Sequence, residues 1–405
     1  MGYTKRAIKG VSWMSAFRLV TRLFSFLKIA ILARVLSPSD FGIFGIASIT
    51  LALLELLTET GVNVFLIQSK EDIKKHIDSA WVVSIARGVL IALLILISSP
   101  FISSFFNSSK SLTILILISL VPLIRGFINP MIVRFQKELN FQNEFWLKSS
   151  IFIVDATVAI IFALLTHSVY SLIWGLLAGA VLEVLVSFFI IKPTPGINFQ
   201  RAYISEILHK GKWVTAYGVF NYLAQEGDSI MVGRLLGAPI LGVYQMAYKI
   251  SIIPLSEISD VFNRVVFPVY SIIGGDKQRL KAAFFKTIGV ISILSLILSI
   301  ILFLFPREII LIVLGEKWLQ AEGVLRVLSI YGFLRAISGP ASALFLGIER
   351  QKYVTFVVIA RFLTLVVSIY PLIILFGLSG AAYSALLSVL IEIPVIMYFV
   401  FKVFK

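Results

Sequence analysis

The chain has no cysteine, so it forms no disulfide and supports no thiolate chemistry. Histidine is nearly as scarce: His76, His167 and His209 are the only three, and their spacing matches no metal-ligand pattern. Charged residues fill 14% of the 405 positions, where a soluble globular chain carries about a quarter. The balance is apolar. Hydrophobic residues make up 59%, gathered into long runs repeated from one end to the other. A soluble core needs no such runs, whereas each bilayer-spanning helix needs roughly 20 apolar residues. The runs are continuous rather than alternating, which favours helices over barrel strands. A cleavable leader is not expected, because Arg18, Arg22 and Lys28 interrupt the first run and no small-residue cleavage site follows it.

Reading apolar runs between polar breaks gives twelve expected spans. The first six cover 12–35, 41–67, 79–100, 111–133, 148–166 and 169–191. The second six cover 213–236, 241–270, 283–305, 322–347, 353–376 and 379–401. The expected division is an N-terminal six-helix lobe at 1–191, a cytoplasmic linker at 192–211 and a C-terminal six-helix lobe at 212–405. Twelve spans sort the loop lysines and arginines 21 to 3 between the two membrane sides. That asymmetry is what the positive-inside rule requires of an N-in, C-in chain. The net charge of +15 is thereby explained by cytoplasmic loops near lipid headgroups, and a nucleic-acid partner is not expected.

The halves repeat. A shift of 200 residues aligns Trp13 with Trp213, Arg34 with Arg234, Leu36 with Leu236, Gly42 with Gly242 and Asn63 with Asn263. Further on, Arg125-x4-Pro130 aligns with Arg335-x4-Pro340, and Glu183 aligns with Glu392. Six spans per half return the chain to its starting side, so the repeats are parallel. A transporter of that build places its substrate site near the midplane between the halves and alternates access by rocking one against the other.

An ionisable group at the bilayer centre costs roughly 2.5–3.5 kcal/mol on insertion scales, so charges inside spans mark a wet cavity or a pairing partner. On the first span, Ser15, Arg18, Thr21, Arg22, Ser25 and Lys28 fall within an arc of roughly 140°. On the seventh, Asn221, Gln225 and Asp228 share a face. Glu55 and Glu59 lie one turn apart on the second, and Glu257, Asp260 and Arg264 share a face of the eighth. The simpler reading is mutual neutralisation: Arg18 and Arg22 with Glu55 and Glu59, Asp260 with Arg264. Arg125 and Arg335 are expected to satisfy carbonyls freed by the nearby prolines. Glu183 and Glu392 read as proton carriers or as helix-pairing contacts.

The opening Lys9-Gly10-Val11-Ser12-Trp13 and the stretch Ala33-Arg34-Val35-Leu36-Ser37-Pro38-Ser39-Asp40-Phe41-Gly42-Ile43-Phe44 carry a family signal. The second resembles the A-R-x-L-x-P-x-x-[FY]-G turn of the polysaccharide transporter family, the Wzx-type flippases for O-antigen, capsule and exopolysaccharide units. A degenerate copy stands at Gly233–Tyr244. The resemblance implies an all-α polytopic fold like that of the multidrug-and-toxin extrusion (MATE) transporters, of about twelve helices in two lobes. It implies a bacterial cytoplasmic membrane and no enzymatic activity. It also implies translocation of an undecaprenyl-diphosphate-linked oligosaccharide, alongside membrane lipids and the polysaccharide polymerase machinery as partners. Lipid II flippases of the superfamily carry two further C-terminal helices that hold the lipid tail, and a chain of twelve spans lacks that groove.

On this reading Arg18, Arg22, Lys28, Asn221 and Gln225 contact substrate, the cations meeting the diphosphate or an acidic sugar. Glu55, Glu59, Asp228, Glu257 and Asp260 are the ion-coupling candidates. No cofactor is expected beyond coupling to H+ or Na+. The alternative is an ion-coupled multidrug or metabolite antiporter of the same superfamily.

Overall fold

The computed structural model describes residues 20–21, 24–59, 66, 77–138, 140–196 and 222–405, with backbone alone at Asp260, Val261, Arg264 and Val265. Every regular element among them is helical. Eight helices are long and apolar enough to cross a bilayer, or nine if one sharply bent pair counts as a span. Helices at 24–35, 222–236 and Ala238–Ile273 occupy the places of the first, seventh and eighth expected spans. The first two run into residues outside the description, and the third carries Lys249 and Glu257. Large apolar side chains face outward along these helices: Phe101 and Val367 are each 74% exposed. A water-soluble protein does not present such a surface throughout; a lipid-solvated one does. The chain divides into two compact units, Met1–Phe220 and Asn221–Lys405.

In the first unit, Ser37-Pro38-Ser39-Asp40 starts the second-span helix. Ser37 caps the helix Pro38–Leu57 in a capping box: Asp40 N–H donates to Ser37 Oγ at 3.3 Å, and Ser37 N–H donates to Asp40 Oδ2 at 2.9 Å. Pro38 stands in the first turn, where its missing N–H costs nothing. The third span, Ile77–Phe105, is continuous, and the fifth and sixth run Phe141–Thr166 and Tyr170–Ile190.

The fourth span corrects the expectation of one helix over 111–133. Ser109–Ile118 and Leu120–Arg125 are followed by a break at Gly126-Phe127-Ile128-Asn129, then a 3-10 turn Pro130–Val133 and a short helix Arg134–Lys137. The two parts meet at 73°. Proline alone does not explain the break; its groups are satisfied by side chains. Asn129 is fully buried and caps the 3-10 turn, its Oδ1 accepting from Met131 N–H at 3.0 Å. Its Nδ2 donates to the carbonyls of Ile191 (3.3 Å) and Pro193 (3.2 Å), and its N–H donates to Ser187 Oγ. Trp81 Nε1 donates to the Phe127 carbonyl at 3.1 Å. These partners satisfy backbone groups that the interruption frees. Gly88 of the third span lies against the break, where a Cβ would stand 2.5 Å from the Pro122 carbonyl.

The second unit has continuous helices at its last four spans. Lys277–Leu304, Glu322–Gly347, Gln351–Phe376 and Leu378–Phe404 are the ninth to twelfth spans. The tenth, Glu322–Gly347, runs unbroken through Pro340. At the position matching Asn129 it carries Gly339, so close to the eighth-span helix that a Cβ would fall 2.1 Å from Ser259 Oγ.

Candidate functional site

The broken fourth span borders a cavity of about 320 Å³ inside the first unit. Pro122, Arg125, Gly126, Ile128 and Pro130 supply one wall. Glu55 and Glu59 enter from the second span, Ser84 and Arg87 from the third, Glu144 and Lys148 from the fifth and Glu183 from the sixth. A second chamber of about 280 Å³ adjoins it, sharing Arg125 and Lys148 and bounded further by Thr21, Asp155 and Gly179.

The charges pair across helices. Arg87 Nη2 donates to the Glu55 backbone carbonyl at 2.7 Å and lies 3.3 Å from Glu59 Oε2. Arg125 Nε approaches Glu183 Oε2 at 3.4 Å without forming a hydrogen bond. Lys148 pairs with Glu144 one turn away, and Glu144 Oε1 also accepts from Gln136 at 2.8 Å. Lys28 donates to both oxygens of Asp155, at 2.9 and 2.8 Å. Glu55 stands within electrostatic reach of Arg87 and Arg125, but its carboxylate hydrogen-bonds to neither. Four carboxylates therefore face three cations in the main chamber.

The second unit repeats one of these contacts in a different setting. Arg335 Nη1 lies 3.3 Å from Glu392 Oε1, the counterpart of the Arg125–Glu183 pair. A further guanidinium, Arg361, reaches the other oxygen of Glu392 at 3.8 Å. Glu392 and Arg361 are 4% and 6% exposed, and Arg335 meets them from the tenth span with a side chain 34% exposed. Nearby, buried Asp228 accepts from Tyr244 Oη at 2.8 Å and from Ser229 N–H.

The sequence-derived site residues fare unequally. Glu55 and Glu59 do line a cavity. Glu59 contacts Arg87, a third-span arginine that the pattern reading passed over. Lys28 is engaged by Asp155 rather than standing open. Gln225 is exposed while Asp228 is buried, so the seventh-span face is split. Glu257 is half-buried on the eighth-span helix. Arg18, Arg22 and Asn221 lie outside the described residues, as do the side chains of Asp260 and Arg264. Lys148, at the start of the fifth expected span, is helical and lines both chambers. Arg125 and Arg335 each meet the repeat-matched glutamate. The recurrence of Arg125/Arg335 and Glu183/Glu392 at matching offsets showed these residues in the sequence, but not that they meet. Arg87 and Asp155 are single charges in apolar runs, a signal that only the cost of burying them reveals.

Residues 31–323 match the family model described as "Polysaccharide biosynthesis protein". The chain belongs to this family. Among its relatives, lipopolysaccharide biosynthesis protein WzxC of Escherichia coli (strain K12) is 24% identical over 352 residues, covering 86% of this chain and 72% of that protein. Two solved structures share its fold. The lipid II flippase MurJ, in an inward closed conformation, superposes with a TM-score of 0.77 over 96% of this chain and 88% of its own, at 15% identity. A MATE-family multidrug resistance transporter in an inward-facing conformation gives 0.71 over 97% and 98%, at 14% identity. The family member described here is therefore a MATE-like, multi-pass protein of the bacterial cytoplasmic membrane.

Proposed function

We propose that this protein is a flippase that carries a lipid-linked oligosaccharide, an undecaprenyl-diphosphate glycan, across the cytoplasmic membrane for surface polysaccharide assembly. The observation that supports it most is the charged cavity built into a membrane-spanning unit of a polysaccharide biosynthesis family member. Charges at that depth need hydration or a polar cargo to offset their cost. Translocation proceeds by alternating access, with the N- and C-termini on the cytoplasmic side. The cargo diphosphate meets Arg18 and Arg22, and a coupling H+ or Na+ is taken up at Glu55, Glu59 or Asp228. The protein performs no covalent chemistry on its cargo.

A multidrug or metabolite antiporter is the competing reading, and the acid excess in the cavity speaks for it. Arg87, Arg125 and Lys148 in the same cavity speak against a purely cationic cargo. Deleting the gene separates the two. A flippase deletion accumulates lipid-linked glycan on the inner face and loses surface polysaccharide, and the Arg18→Gln/Arg22→Gln double variant does not restore it. An unchanged glycan profile in the deletion strain would overturn the proposal.

A further inference from the structure

The main chamber of the first unit has unspent hydrogen-bonding capacity of both kinds. Arg125 carries five N–H donors, and its one charged contact, the 3.4 Å approach to Glu183, is not a hydrogen bond. Its Nε is buried with no partner, and so is the Nε of Arg87. On the acceptor side, the Glu55 carboxylate makes no hydrogen bond to the arginines beside it, and Glu144 Oε2 is buried and unbonded. Buried polar groups are normally satisfied by protein, water or ligand, so such a set of open donors and acceptors around one cavity makes room for a polar guest.

The chemistry of that ligand follows from what would satisfy both kinds at once. A cation would engage Glu55 and Glu183 and leave the guanidinium donors open. An anion would engage the arginines, but it would enter a chamber where carboxylates outnumber cations four to three. A hydroxyl both donates and accepts. A ring bearing several hydroxyls can donate to Glu55 and Glu183 while accepting from Arg125, with no net charge to desolvate. The volume, about 320 Å³, lies at the small end of ligand-binding pockets and suits one or two sugar rings rather than a whole repeat unit.

We propose that the chamber bordered by the broken fourth span is a sugar subsite, in which Glu55, Arg125 and Glu183 read the hydroxyls of a neutral pyranose. This rests on the polysaccharide reading of the cargo and adds a place on the protein where sugar identity is selected. Ser84, on the cavity wall, is the position at which added bulk closes the chamber without removing a charge.

The test is saturation-transfer NMR on the full chain in deuterated lipid nanodiscs. The probes are glucose, galactose, N-acetylglucosamine, glucuronate and inorganic phosphate, each alone. The expected result is saturation transfer to at least one neutral sugar. That transfer falls at least ten-fold in both Glu55→Gln and Ser84→Leu, while far-ultraviolet circular dichroism confirms helical content in each variant. Neutral-sugar transfer unchanged in the two variants overturns the subsite, as does transfer to glucuronate or phosphate alone, or to no probe. Because binding is read without transport, a flippase that exports normally but gives one of those results loses only this inference.

Discussion

The same pair of residues, an arginine and a glutamate two spans apart, has been put to two uses in the two halves. In the first unit Arg125 and Glu183 look into a cavity, with side chains 38% and 21% exposed and their contact at 3.4 Å. In the second, Arg335 is 34% exposed, much like Arg125, but Glu392 and the added Arg361 are only 5% and 7% exposed at their side chains. The difference traces to the span that carries the arginine. The fourth span breaks at Asn129 and turns through 73°, leaving a chamber, whereas the tenth continues through Gly339 and packs closed against the eighth-span helix. One repeated motif thus places its glutamate on a polar chamber in one half and buries it against a second arginine in the other. Discontinuous spans are where transporters build sites, and only one half of this repeat has such a break among the described residues.

The largest contrast should come from deleting the matched glutamates. Glu392→Ala removes the carboxylate shared by buried Arg361 and part-exposed Arg335, and breaking a buried ion pair costs about 3–5 kcal/mol. Glu183→Ala removes a partner from an accessible pair, which is worth below about 1 kcal/mol. Thermal unfolding in detergent should therefore show a deep loss for the first and a shallow one for the second. Equal losses would mean that the two settings do not differ energetically.

A smaller effect is expected at the break itself. Asn129→Ala removes one acceptor and the amide donor that holds the Ile191 and Pro193 carbonyls. Stranding those buried groups costs about 1–3 kcal/mol. Proteolysis after Ile191 should quicken in the variant, since Asn129 is what pins that segment to the fourth span. An unchanged cleavage rate would show that the break is held by something else.

The smallest contrast lies at the paired helix starts. Ser37 caps the second span with its side chain, and Ser37→Ala should cost about 1 kcal/mol. Its repeat partner Gly237 has no side-chain cap and sits at φ 85°, so Gly237→Ala should cost about 1–2 kcal/mol through backbone strain instead. Urea titration of the two variants should show losses of similar size from different causes. A neutral Gly237→Ala would contradict the left-handed assignment.

Much of this architecture was written in the sequence. The number of spans follows from apolar length, and the repeat from polar matches such as Arg125/Arg335 and Glu183/Glu392. The ion pairs were half-legible: the residues were visible, but not that they meet each other. The break was hidden because Gly126-Phe127-Ile128-Asn129 is apolar enough to read as mid-span, and its Pro130 has a counterpart, Pro340, inside a straight helix. What separates the two is Asn129 against Gly339. The first side chain takes over backbone hydrogen bonds, while the absence of a side chain at the second allows close packing. That distinction depends on groups distant in sequence, such as Ser187 and Ile191. The cavity residues Arg87 and Lys148 were missed for a related reason, since each lies outside any polar stripe and gains meaning only from the chamber it faces.

The chain's lack of cysteine makes the central claim directly measurable. Single cysteines at Ser84, on the wall of the open chamber, and at Ser338, buried beside Arg335, can be titrated with a small charged methanethiosulfonate reagent in native membranes. Because the reagent must arrive through water, Cys at position 84 should label at least a hundred-fold faster than Cys at position 338. Equal rates, or faster labelling at 338, would contradict a polar chamber held open by the broken fourth span of the first unit alone.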